Sequence, residues 1–120
     1  MSVADVSNIQ ISNDVISTIA SVAAMEVEGV HSLTSSISSN IKDIIYKKGA
    51  TKGVSVDIDE ENNVNITINM VIKYNYKIQD VAHSVQSQVI RAVSDMTNLE
   101  IISVNVNVVG VNIPKEENTK

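Results

Sequence analysis

The sequence predicts an α+β domain, a two-layer sandwich in which a mixed three-stranded sheet carries two main helices and a short helix on one face. Three observations lead there. Val64, Ile66, Ile68, Met70 and Ile72 alternate with Asn65, Thr67, Asn69, Val71 and Lys73, the period-two pattern of a strand with one row on a core. The period then lengthens. Ile78, Val81, Ala82, Val85, Val89, Ala92, Val93 and Met96 recur at steps of three and four, a single stripe along a helix of about five turns. After Asn98 the alternation returns, with Ile102, Val104, Val106 and Val108 on one side and Ser103, Asn105 and Asn107 on the other.

The remaining elements follow in chain order. Residues 1–8 are small and polar and read as a flexible tail, after which Ile9 and Ile11 leave room for a short fourth strand. Ser12 is placed to cap a helix, with Asp14 in its first turn. Val15, Ile16, Ile19, Ala20, Val22, Ala23 and Val27 form its apolar stripe, and Gly29 supplies the stop. The serine-rich stretch Ser32 to Asn40 reads as a loop. Ile37, Ile41, Ile44 and Ile45 then share helical spacing, with Lys42, Asp43, Lys47 and Lys48 elsewhere on the turn. Gly49 and Gly53 bracket a loop before the alternating run Val54, Val56 and Ile58. Glu60 to Asn63 is the polar turn of an antiparallel hairpin leading into the Val64 strand. A right-handed crossover sets the last strand parallel to the Val64 strand and beside the one from Val54. The single domain therefore spans 9–113, and the charged stretch 114–120 reads as a disordered tail. Ser55, Asp57, Asn65, Thr67, Asn69, Ser103, Asn105 and Asn107 fall on the sheet face away from the helices.

Composition narrows the function. At 120 residues and 13.0 kDa with 43% hydrophobic content, the chain can bury one aliphatic core. Trp and Phe are absent, and Tyr46, Tyr74 and Tyr76 are the only aromatics, so the stacking platform that binds single-stranded nucleic acid is missing. A net charge of −5 repels phosphate polymers. Having no cysteine, the chain offers no disulfide, thiolate metal site or cysteine nucleophile. The opening Met-Ser-Val-Ala-Asp has no basic n-region or apolar block, and no run approaches the roughly 20 apolar residues that span a bilayer. A cytoplasmic location is expected, with any membrane contact peripheral or through a partner.

Candidate chemistry is thin. His83 lies three residues after Asp80, a spacing that fits a surface pair on a helix better than an acid–base or metal site. His31 follows the Gly29 stop and is placed to cap carbonyls there. Glu26 and Glu28, two apart, sit on different sides of a helix and cannot act as paired carboxylates. Lys48 to Gly53 is glycine-rich and basic, but its spacing matches no nucleotide loop or KH module, and a strand follows where a phosphate cradle needs a helix N-terminus. Lys42, Lys47, Lys48 and Lys52 form the densest positive region, a solvated face or a docking patch for an acidic partner or anionic lipid.

A set of short motifs in fixed order carries a further signal. Ile11-Ser12, Val15-Ile16 and Ile19-Ala20 precede Glu26-Val27-Glu28-Gly29-Val30. Lys52-Gly53-Val54, Tyr74, Lys77-Ile78, Asp80-Val81-Ala82 and Val85-Gln86 follow. Met96-Thr97, Leu99-Glu100, Val104-Asn105-Val106 and Val109-Gly110-Val111 complete the order. Together they resemble the alkaline shock protein family of Gram-positive bacteria, from about Ile9 to Ile113. The resemblance implies a small cytoplasmic protein of alkaline and cell-envelope stress, without catalytic residues, held near the membrane by a separate anchor protein or self-associating. Two positions depart from the family pattern: Asn75 stands where glycine is common and Gln79 where proline is common. Both departures are compatible with the same fold, since Asn tolerates the left-handed conformation and a helix can start without a first-turn proline.

The expected function is thus a non-enzymatic interaction or scaffolding role in cell-envelope homeostasis and stress response. It needs no cofactor, metal or small-molecule substrate. Its partners are a membrane-anchored protein or another copy of the chain, and nucleic acid is not expected. Val71 and Ile90, off the main core rows, are interaction candidates beside the four lysines. The rival readings are an RNA-binding module using those lysines and, as the family resemblance implies, a regulator of fatty-acid synthesis.

Overall fold

The computed structural model describes residues 10–34, 50–51 and 53–114. Its elements run α1 (Asn13–Met25), β1 (Val30–Leu33), β2 (Ala50–Thr51), β3 (Val54–Ile58), β4 (Asn63–Lys73), α2 (Ile78–Thr97) and β5 (Glu100–Asn112). The α+β architecture is as the periodicities predict. The sheet, however, has five strands among the described residues rather than three.

β4 is the spine. It pairs antiparallel with β3 from Val54↔Ile68 to Ile58↔Val64, and with β1 from Val30↔Ile72 to Leu33↔Met70. Both partners use the same side of β4, end to end, and the handover falls on one residue. The Thr34 amide donates to the Asn69 carbonyl at 3.0 Å, and the Asn69 amide donates to the Gly53 carbonyl at 2.9 Å. Along its other side β4 pairs parallel with β5, from Asn63↔Glu100 to Lys73↔Asn112. The last strand therefore lies beside the Val64 strand and is separated by it from the Val54 strand, which corrects the predicted neighbour. β2 covers the start of β3 through Ala50↔Ser55 and Thr51↔Val54.

The alternation of β4 is fully expressed: Val64, Ile66, Ile68, Met70 and Ile72 are completely buried. They meet Val81, Val85, Val89 and Val93 of α2 and Ile16, Ala20, Ala23 and Ala24 of α1. Burying each large side chain contributes roughly 1.5–3 kcal/mol, so this aliphatic layer replaces the aromatic core the composition lacks. The ends of the predicted stripes are not in it. Ile78 and Met96, near the two ends of α2, are exposed, and so are Val15 and Val22, which lie seven residues apart on the flank of α1 away from the buried face of Ile16, Ala20, Ala23 and Ala24.

Local signals act as read at both helix starts. Ser12 caps α1, its Oγ accepting from the Val15 amide at 3.3 Å. Asn75, at φ +78°, takes the left-handed turn that glycine would otherwise supply, and α2 begins at Ile78 without a proline. Asn98, also left-handed, ends α2. In the β3–β4 turn the Asp59 carboxylate accepts from the amides of Glu61 (2.9 Å) and Asn63 (3.0 Å). The bond from the Asn63 amide is the main reason its pKa lies below the ordinary aspartate value.

Other expectations change. α1 ends at Met25, four residues before Gly29, which instead turns the chain into β1 at φ +104°. A Cβ there would lie 2.7 Å from Val81 Cγ2. β1 occupies the start of the predicted serine-rich loop, and β2 lies between the glycines read as a loop. The fourth strand suggested by Ile9 and Ile11 does not form at Ile11, which packs half-buried against the core outside any strand. Ile9, the short helix around Ile37 to Lys48, and both predicted tails apart from Pro114 lie outside the described residues.

Candidate interaction surface

The two faces of the sheet differ in chemistry. The face away from the helices carries the predicted polar row in aligned rungs: Asp57, Asn65 and Ser103; Ser55, Thr67 and Asn105; Asn69 and Asn107. Two rungs are tied by side chains, Ser103 Oγ donating to Asn65 Oδ1 at 2.7 Å and Asn107 Nδ2 to Asn69 Oδ1 at 2.9 Å. The surface is amide- and hydroxyl-rich, with Asp57 at its margin.

Strand β5 forms one border of the sheet. It is 13 residues long, and among the described residues its strand pairing is to β4 alone. From Ile101 to Ile113 it contains no charged residue and no proline. Natural edges are commonly blunted by lysine, proline or shortness, devices missing along this stretch. Bulges break its register at both ends, between Ile101 and Ser103 and between Val108 and Gly110. One helix side chain reaches its middle: Gln86 Nε2 donates to the Val104 carbonyl at 3.0 Å. Ile90 sits one turn further along the same face of α2 and is 41% exposed.

Where β4 and β5 end, Tyr74, Tyr76, Ile78, Val111 and Ile113 line a cleft of about 360 Å³ with Lys73 and Asn75. Ile113 is 67% exposed and Tyr74 54%. The Tyr76 hydroxyl donates to Glu28 Oε2 at 3.2 Å, and the Glu28 charge is the main reason its phenol pKa stands above the ordinary value. Tyr76 therefore joins the sheet end to the α1–β1 turn, and both tyrosines lie exposed instead of packing in the core.

The sequence-derived candidates separate. Ile90 borders β5 on the helix side. Val71 is half-buried on the open face, between Ser32 and Gly110, inside the sheet and away from its border. Lys42, Lys47, Lys48 and Lys52 lie outside the described residues. His83 and Asp80 are both exposed on α2, and among the described residues no group of three metal-ligating side chains forms. His31 is not a helix cap; it is the bulged residue of β1, exposed, between Val30 and Ser32. Glu26 caps the end of α1, while Glu28 faces Tyr76, so the two carboxylates have separate surroundings.

Sequence reasoning missed the β5 border and the exposed Ile102, Val111 and Ile113. The signal was present in two doublets, Ile101-Ile102 and Val108-Val109, that break the alternation where the bulges fall.

Fold and surface together define a small α+β domain with a polar open face and one long border strand that carries no charge after Glu100. The chain belongs to the alkaline shock protein 23 family, described as having a cell envelope-related function, whose family model matches residues 1–113. It is 34% identical over 107 residues to the uncharacterized protein YloU of Bacillus subtilis, with 88% of each chain covered. It is 31% identical over 103 residues to YqhY of the same organism, covering 86% of this chain and 76% of that one. A stress response regulator gls24 homolog of Streptococcus pyogenes is 29% identical over 98 residues; these cover 81% of this chain and 54% of the relative. Among solved structures, a zinc form of the MamM CTD aligns with a TM-score of 0.47 at 13% identity, covering 87% of this chain and 88% of that chain. Among the described residues, no helix is long and apolar enough to cross a membrane.

Proposed function

We propose that this chain is a non-enzymatic interaction and scaffolding component of cell-envelope homeostasis and stress response. It works by docking on a membrane-anchored protein or on another copy of itself. The observation that carries this reading is the β5 border: 13 residues paired on one side, uncharged from Ile101 to Ile113, flanked by exposed Ile90, Ile102 and Val111. A strand of this kind supplies main-chain hydrogen bonds to an added strand and apolar side chains beside them. Under this reading the chain acts in the cytoplasm, at the inner face of the membrane through its partner. Val71 offers a second, smaller contact on the open face.

A tagged pull-down from membrane and cytoplasmic fractions, at low and high salt and after nuclease, tests it. Recovery of a membrane protein resistant to nuclease is expected. Ile90→Asp, at an exposed position, is expected to leave the unfolding midpoint unchanged and to weaken that recovery. Recovery of RNA alone, lost with nuclease and salt, would overturn the reading in favour of nucleic-acid binding through the lysines.

A further inference from the structure

The last turns of α1 and the strand β1 flank a groove of about 460 Å³, lined by Ser21, Val22, Met25, Glu26, Ser32 and Leu33. Val22 and Met25 are exposed in it. Residues 35–49 leave and re-enter the described fold beside this groove. The chain departs at Thr34, next to Leu33 of the groove wall, and returns in β2, which lies against α1. The two ends are held together, since Thr34 and Gly53 both bond to the backbone of Asn69. A stretch of 15 residues that starts and ends there stays near α1, because helical residues advance only about 1.5 Å each. Its chemistry complements the groove. Ile37, Ile41, Ile44 and Ile45 share helical spacing and form a stripe that needs an apolar seat. The end of α1 is capped by Glu26 and has no basic residue in its last turn, so its free carbonyls and that carboxylate attract cations. The stretch brings Lys42, Lys47 and Lys48 against Asp43 alone. The chain termini match the groove less well: residues 115–120 hold no apolar side chain, and residues 1–9 join α1 at its opposite end.

We infer that the isoleucine stripe of residues 35–49 seats in the α1–β1 groove against Val22, Met25 and Leu33, so that this flank of α1 is filled by the chain itself rather than offered to a partner. The seat does not depend on what pairs with β5, and the membrane pull-down reads that contact separately.

Thermal unfolding of the full chain tests it. Glutamine forms helix at least as well as valine and about as well as methionine, so on an open flank Val22→Gln with Met25→Gln leaves Tm unchanged or raises it. In a filled groove the same pair strands two amides and removes apolar contacts, and Tm is expected to fall by about 5 °C or more. Ile41→Ser with Ile44→Ser is expected to lower Tm as well. All four together should lower it no further than the more damaging pair, because both pairs remove one shared contact. The chain has no cysteine, so a designed pair identifies the occupant. On mild oxidation, Met25→Cys with Ile44→Cys is expected to close a disulfide within one chain, faster than Met25→Cys with Asp43→Cys. A Tm indifferent to the glutamines, shifts that simply add, or equal rates for the two cysteine pairs would overturn the inference. A disulfide between two chains instead of within one would overturn it in favour of a second copy.

Discussion

Along one side of β4 two short strands run end to end, β1 opposite Met70 to Ile72 and β3 opposite Val64 to Ile68; along the other, β5 alone runs the whole length. The first side is closed. β2 pairs with the start of β3, and Asn13 Nδ2 at the start of α1 donates to the Val56 carbonyl at 3.2 Å. Among the described residues no strand lies beyond β5 on the second, where Gln86 reaches one carbonyl. The closed side requires chain reversals and close approaches, and so depends on backbone conformations that few residues adopt. The open side is a single strand whose requirements are those of ordinary β structure. Stability is therefore sensitive to sequence on one side, while association is sensitive to it on the other.

Glycine substitutions should expose that contrast most strongly. Gly53 has φ +89°, and a Cβ there would run into the Thr34 carbonyl at the handover between β1 and β3. Gly53→Ala is expected to cost at least ~1–2 kcal/mol for the backbone conformation alone, with the steric collision added, in urea unfolding. Unchanged stability would mean that the two strands do not meet at Asn69.

A smaller effect is expected at the β3–β4 turn. Because bonds from backbone amides lower the Asp59 pKa in the folded state, its contribution is present above the unfolded aspartate value near 4 and is lost as pH falls through the lower folded value. Asp59→Ala should therefore be destabilised relative to wild type near neutrality, with the difference shrinking below about pH 4. A difference that grows on acidification would contradict the turn. The smallest effect is expected at Gly110 on the open side. A Cβ there would meet Val71 Cγ2 at 3.8 Å, ordinary contact, so Gly110→Ala should change stability by no more than about 0.5 kcal/mol. A large loss would show that β5 is as constrained as its counterpart.

Much of this was legible in the chain. β4, α2 and β5 announce themselves because each is long, with one residue type per face, and the capping Ser12 and left-handed Asn75 act through bonds and angles within a few residues. β1 escaped notice because its bulge at His31 separates Val30 from Leu33 by three positions, so two core-facing residues do not alternate. β2 is two residues long and is a strand only through its pairing with β3. A position off the core rows marks Ile90 and Val71 as interaction candidates but does not rank them. Ile90 borders β5, whereas Val71 is enclosed by strands on both sides.

Periodicity determined which residues are buried in β4 and along the middle of α2, because side-chain direction repeats every two residues in a strand and about every 3.6 in a helix. The same local rule placed the amide and hydroxyl row on the open face. Only the tertiary structure decided that β1 and β3 share one side of β4, that β5 borders the sheet and that Gly53 meets Thr34. Pairing partners and free borders depend on residues far apart in the chain, and no local period encodes which strand lies beside which.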